Sequence, residues 1–312
     1  MPLNMVFFGS PEEAVPALAA VIDAGHSVVA VYTRPDREAG RKRQPRPTPV
    51  RVAAEARGLR VETPAGLRGA EAQDTLRNLN ADVFIVAAYG RILPPEVLSM
   101  PRLGAVNIHP SLLPRYRGPS PVVTAIRNGD AETGVSVMLL DEGMDSGPLL
   151  AQSPPVRLDG TERADDLTAR LFRIGAEMLP GVLDALETES LTPEPQDESL
   201  VTITKLIEKE DGSIDWSLPA VEIERMTRAY DPWPGAFTLL NGKNLKILSA
   251  NAAGEGKSAP AGTVSVRERK IFVATGGGEL ELLEVQPEGK RPMQARDFLN
   301  GTPELDGAVL GA

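Results

Sequence analysis

Asn107, His109 and Asp145 are the residues of this chain whose types and spacing could do chemistry. The first two open the run Asn-Ile-His-Pro-Ser-Leu-Leu-Pro-Arg-Tyr-Arg-Gly at 107 to 118, and the third lies in Asp-Glu-Gly-Met-Asp-Ser-Gly at 141 to 147. Ala105, Val106 and Ile108 read as a short buried strand, so Asn107 and His109, two apart, point to one face at its exit. An amide can donate to a developing oxyanion, and an imidazole can donate or carry a proton near neutral pH. A carboxylate such as Asp145 can orient the imidazole or take a proton. These are the parts for acyl transfer to an amine. Alone, an Asn-x-His pair arises often by chance, and a strand-end histidine bonded to backbone would account for it equally well.

The two runs together resemble the signature of the folate-dependent formyltransferases. In that family the matching asparagine, histidine and aspartate are the catalytic set, which the resemblance carries onto Asn107, His109 and Asp145. Ser111, Leu112, Leu113 and Pro114 are similar to the family's folate-contacting loop. Val86 to Leu93, with Tyr89, Gly90 and Ile92, is similar to the other wall of the slot. Pterin is flat and polar at its edge, so backbone donors and acceptors in an apolar slot recognise it. Core packing is the alternative for Leu112 and Leu113, and equally for Tyr89. Arg115 and Arg117 pair either with substrate or with surface acids.

Three further stretches resemble the branch of the family that formylates an aminoacyl-tRNA: Thr33 to Arg41, Ala-Tyr-Asp-Pro-Trp-Pro-Gly at 229 to 235, and Glu288 to Gly301. One departure is Glu13, where the family usually carries an aromatic residue. The resemblance implies transfer of the formyl group of 10-formyltetrahydrofolate, as co-substrate, to the α-amine of methionine on charged initiator tRNA. The related alternatives share the triad but formylate an amino-sugar nucleotide or glycinamide ribonucleotide, or hydrolyse the folate. A noncatalytic tRNA-binding protein would be expected to show a broken triad.

Composition narrows the classes. With 312 residues, 42% of them hydrophobic, the chain is comfortable as two globular domains. No basic leader or apolar run of about 18 residues is present, so a cytoplasmic protein without a membrane partner is expected. Zero cysteines remove thiolate chemistry, and histidines only at 26 and 109 leave little for a metal site, so metal-free catalysis is the expectation; a monomer is expected separately. A net charge of -10 disfavours broad nucleic-acid binding. Yet six basic residues (34, 37, 41, 42, 43 and 46) stand against Asp36 and Glu38 between positions 34 and 46. With the resemblance, Arg37, Arg41, Lys42 and Arg43 are expected to hold tRNA; without it, this is a solvated loop.

The elements that must position these residues follow from pattern. Met5 to Phe8, Val28 to Thr33, 83 to 88, 104 to 108 and 134 to 140 read as strands, with helices near 49 to 57, 70 to 79, 119 to 128 and 161 to 187. This alternation gives an α/β, Rossmann-like, mainly parallel sheet, with ligands at the strand carboxyl ends. Ser10 and Glu13 have capping-box spacing and Pro11 suits a first helical position, while Pro16 kinks or restarts that helix. Without Gly-x-Gly-x-x-Gly, a nicotinamide or ATP enzyme is disfavoured. His26 is expected at a helix end facing free carbonyls. Leu191 to Thr204, with Thr-Pro-Glu-Pro-Gln-Asp, reads as a linker. A helix near 219 to 230 and five short strands from 236 to 286 suit a small barrel, which the resemblance makes oligonucleotide-binding (OB) like. Trp216 and Trp233 are expected in its core. The boundaries are then 1–189 for the catalytic domain, 190–207 for the linker, and 208–312 for an OB-like, tRNA-binding β-barrel.

Overall fold

Near-continuous apolar runs fill the first strands because a parallel sheet covered on both faces leaves them no wet side. In the computed structural model, which describes residues 2–39, 44–254 and 259–311, these strands are β1 (Asn4–Gly9), β2 (Ser27–Tyr32), β3 (Val61–Glu62), β4 (Val83–Ala87), β5 (Ala105–His109), β6 (Ser136–Leu139) and β7 (Leu149–Gln152). They form a seven-stranded sheet in the order β7-β6-β5-β4-β1-β2-β3. The first five strands pair in parallel, and β6 and β7 join antiparallel at one edge. The order reverses between β1 and β4, and ligands of open α/β sheets collect at the carboxyl ends beside such a reversal. Helices α1 (Val15–Asp23), α2 (Pro49–Glu55), α3 (Ala70–Arg77), α4 (Pro95–Leu98), α5 (Pro121–Asn128) and α6 (Ala164–Glu187) connect the strands.

Phe8 anchors the core on one face, with ring centroids 5.1 Å from Tyr32, 5.3 Å from Phe84 and 5.3 Å from Tyr89. Burying one such ring stabilises by about 2 kcal/mol. On the other face, Gly175 of α6 lets the helix approach β5: a Cβ there would sit 2.4 Å from Ile108 Cγ2.

The second unit carries α7 (Ala220–Ala229) and the strands β8 (Ala236–Leu240), β9 (Lys243–Ala253), β10 (Val264–Arg267), β11 (Lys270–Ala274) and β12 (Glu279–Pro287). They form an antiparallel sheet in the order β8-β9-β12-β11-β10, in which β9 pairs with β12 and not with its sequence neighbour β10, and Met293–Gln294 adds beside β12. Register shifts in β9 between Ile247 and Ala250 bend the long strand, as an OB-like barrel requires. Trp216 is buried here, its Nε1 donating to Thr238 Oγ1 at 3.0 Å.

By packing, one unit comprises Met1–Pro121, Glu132–Val156 and Thr168–Thr204, and the other Val122–Ala131, Arg157–Leu167 and Lys205–Ala312. Polar pairs tie the early segments into the second unit: Arg127 Nη1 donates to the Glu222 carbonyl at 2.7 Å and Arg163 Nε to Asp231 Oδ2 at 2.9 Å. No helix of the described residues is long and apolar enough to cross a membrane.

Several expectations change. Glu12–Ala14 forms a 3-10 turn before α1, which begins at Val15 with Pro16 in its first turn, and no side chain caps either start. Ser10 instead donates to the Tyr89 carbonyl and accepts from Arg34 N–H, because the segments just past the ends of β4 and β2 supply its partners. His26 is buried, and its Nδ1 accepts from Leu3 N–H at 3.3 Å rather than donating to helix carbonyls. The basic loop contains a two-stranded hairpin, Arg37–Ala39 with Gln44–Arg46. Trp233 is 59% exposed, since it stands in the turn between α7 and β8 rather than on an inward face of either.

Candidate active site

The face of β5 that carries Ala105 into the core with Phe84 and Val86 continues to Asn107 and His109 at the strand exit. There the core ends and the face turns polar. Asn107 is 8% exposed and His109 4%. Among the described residues none hydrogen-bonds the Asn107 side chain.

His109 has defined surroundings. Its Nε2 lies 3.0 Å from the Tyr116 carbonyl oxygen, and a carbonyl can only accept, so Nε2 carries a hydrogen. Nδ1 then faces Asp145 Oδ2 at 3.6 Å, too long for a hydrogen bond at rest. Burial pushes the imidazole below its ordinary value of 6.5, against the opposing pull of the Asp145 charge and the Tyr116 carbonyl. At neutral pH the ring is therefore neutral, and Nδ1, without a hydrogen, is left able to accept a proton beside the carboxylate.

Asp145 sits at φ +50°, a left-handed conformation that aspartate tolerates better than most residues. Its Oδ2 accepts from Gly118 N–H at 2.8 Å. The rest of its loop closes on Asp141, whose carboxylate accepts from Gly143 N–H and Ser146 Oγ. Gly147 makes the return to the sheet possible: a Cβ there would lie 2.0 Å from the Leu139 carbonyl oxygen. The loop after β5 is equally tied down. Ser111 Oγ donates to the Arg115 carbonyl, and Ser136 Oγ donates to the Ser111 carbonyl while accepting from Leu113 N–H. Gln152 Nε2 donates to the Leu113 carbonyl at 2.8 Å.

The remaining candidates divide. Ser111, Leu112, Leu113 and Pro114 leave β5 at the same end at which Tyr89, Gly90 and Ile92 leave its parallel neighbour β4. The Tyr89 ring, however, is fully buried against Phe8 and belongs to the core. Ile92 is 87% exposed and lines a cavity of about 400 Å³ with Arg68, Gln73, Pro94, Pro95 and Glu96. Arg117 is buried and pairs with Glu198 at 2.7 Å, so it serves the protein rather than a substrate. Arg37 opens the hairpin, whereas Arg41, Lys42 and Arg43 lie outside the described residues. Pattern reading missed Ser136, Gln152 and Gln196, because polar side chains that bond to distant backbone leave no periodic trace.

The formyl transferase domain family matches residues 3–183, and its C-terminal domain family matches residues 206–303. This chain belongs to the formyl transferase family. Among relatives in that family, the methionyl-tRNA formyltransferase of Roseiflexus castenholzii is 53% identical over 313 residues, covering 100% of both chains. That of Chloroflexus aurantiacus is 52% identical, covering 99% of this chain and 100% of the relative. Among solved structures, HypX from Aquifex aeolicus in complex with tetrahydrofolic acid superposes with a TM-score of 0.65 at 18% identity, covering 98% of this chain and 48% of HypX, a likeness of fold. As a formyl transferase, the chain holds Asn107, His109 and Asp145 inside the first matched domain, whereas residues 184–205 fall between the two matches.

Proposed function

We infer that this formyl transferase moves the formyl group of 10-formyltetrahydrofolate onto the α-amine of methionine esterified to initiator tRNA, the step that prepares translation to begin. Full-length identity of 53% with a methionyl-tRNA formyltransferase carries this reading. The folate supplies a formyl carbon open to attack and a nitrogen, N10, that leaves. Asn107 donates its amide N–H to the formyl oxygen as negative charge builds there, an interaction of about 3 kcal/mol in a preorganised site. His109 Nδ1, unprotonated because Nε2–H is held by Tyr116, takes the proton from the attacking amine and returns it to the departing nitrogen. Asp145 Oδ2, 3.6 Å away, favours the imidazolium while it lasts. With its N–H engaged, His109 leaves the oxyanion to Asn107.

The loop from Ser111 to Pro114 and the backbone from Tyr89 to Ile92 are the proposed walls of the folate slot. Arg37, Arg41, Lys42 and Arg43 are the proposed tRNA contacts, and residues 208–312 the proposed tRNA-binding domain. A reaction on charged initiator tRNA belongs in the cytoplasm. The test is transfer of labelled formyl in parallel to charged initiator tRNA, charged elongator tRNA, an amino-sugar nucleotide and glycinamide ribonucleotide. Label is expected on initiator methionyl-tRNA. Preference for either small amine, or release of free formate, would sink the assignment.

A further inference from the structure

The segment that reads as a free linker is fastened to both loops of the site. Glu194 and Leu149 exchange backbone hydrogen bonds of 2.8 and 2.9 Å. Further on, Thr202 N–H donates to the Pro114 carbonyl and Arg117 N–H to the Thr202 carbonyl, while Thr204 N–H donates to the Arg117 carbonyl. Between these two attachments stands Gln196, 8% exposed. Its Nε2 donates one N–H to the Asp145 carbonyl at 2.8 Å and the other to the Gly147 carbonyl at 2.7 Å. Its Oε1 accepts from Arg117 Nε–H at 3.0 Å, and Arg117 Nη1 and Nη2 each donate to Glu198. Both donors and the acceptor of the amide are thus engaged, in an arrangement that no carboxylate and no shorter side chain can reproduce.

We propose that Gln196 is a positioning residue for formyl transfer: it holds the left-handed turn at Asp145 so that the carboxylate faces His109 Nδ1. This rests on the reaction proposed above. The turn itself supplies no partner for the two carbonyls, so their direction depends on a side chain from a segment some fifty residues away. The backbone attachments on either side hold the segment without Gln196, and Asp145 Oδ2 keeps its bond from Gly118 N–H, so loss of Gln196 releases the two carbonyls of the turn at 145–147 while leaving the strap in place. Reacting groups out of place by about 1 Å lose up to roughly a hundredfold in rate, while substrate binding through other surfaces persists.

The experiment compares Gln196→Ala and Asp145→Asn, singly and combined, in the full-length enzyme, reading kcat, both KM values and the thermal midpoint. Gln196→Ala is expected to lower kcat about tenfold or more with each KM within about twofold. In the Asp145→Asn background it is expected to cost less than about threefold, because Gln196 acts through that carboxylate. Gln196→Glu keeps the length and removes the donors, so it should match the alanine variant and serves in its place if alanine fails to fold. A crippled Asp145→Asn beside normal Gln196 variants, or equal fold-losses in both backgrounds, overturns this proposal alone. An Asp145→Asn enzyme of normal kcat overturns the catalytic reading and this proposal with it.

Discussion

At the scale of single residues, burial and charge compete over one proton on His109. Burial prevails and holds the ring below 6.5, and Asp145 pulls the other way. If neutral His109 is the proton acceptor, kcat rises with pH through that lowered value and is flat by neutrality. Removing the carboxylate charge removes a contribution that raises the pKa. The acid limb of Asp145→Asn should therefore move to still lower pH, even as its plateau falls. A pH profile of single-turnover transfer for both enzymes checks this; a limb that moves toward higher pH would contradict it. Asn107→Ala tests the other half of the chemistry. Its turnover should drop about a hundredfold or more, with the thermal midpoint little changed, since among the described residues none hydrogen-bonds its amide. Transfer assays and a melting curve on the same preparation give both readings, and near-normal turnover would remove the oxyanion role.

At the scale of elements, the hairpin after β2 concentrates positive charge on an acidic molecule. One acid of the loop, Asp36, is paired with Arg51 outside it at 3.0 Å, so that carboxylate already has a partner. If the loop holds phosphates, replacing Arg41, Lys42 and Arg43 together by alanine flattens the salt dependence of tRNA binding by about two units, with the affinity of a folate analogue unchanged. Titrations at several salt concentrations measure it, and an unaltered slope returns the loop to a solvated surface. Regular elements were the legible part of the sequence. The apolar runs of β1, β4 and β5 and the spacing in α6 and α7 marked strands and helices to within a few residues, and with them the strand exit that brings Asn107 and His109 together. What stayed hidden was decided by partners far along the chain. Ser10 has the spacing of a cap yet bonds to Tyr89. The hairpin from Arg37 to Arg46 is too short and polar for a periodic signal. The proline-rich stretch at 192–197 cannot form a helix, which made it look unattached, although its glutamine closes the polar network behind Asp145.

At the scale of the whole molecule, the boundaries along the chain and the boundaries in packing are different things. A cut after Thr204 looks harmless on sequence, since it keeps every residue matched to the first domain family. Packing says otherwise, because Val122–Ala131 and Arg157–Leu167 group with the second unit. Val122, Ile126 and Leu167 are buried in the full chain, and Arg127 and Arg163 find their carbonyl and carboxylate partners beyond residue 204. A fragment 1–204 would uncover those side chains and strand two guanidinium groups, each exposed aliphatic residue forfeiting about 1.5–3 kcal/mol of burial. At about 2–4 °C per kcal/mol for a unit of this size, its melting midpoint should fall by roughly 10 °C or more, with association through the uncovered apolar surface. Scanning calorimetry and size-exclusion chromatography on the fragment and the full chain make the comparison. A fragment that is monomeric and melts with the parent would mean that these segments lend their stability to the first unit after all, and that the linear boundary is also the energetic one.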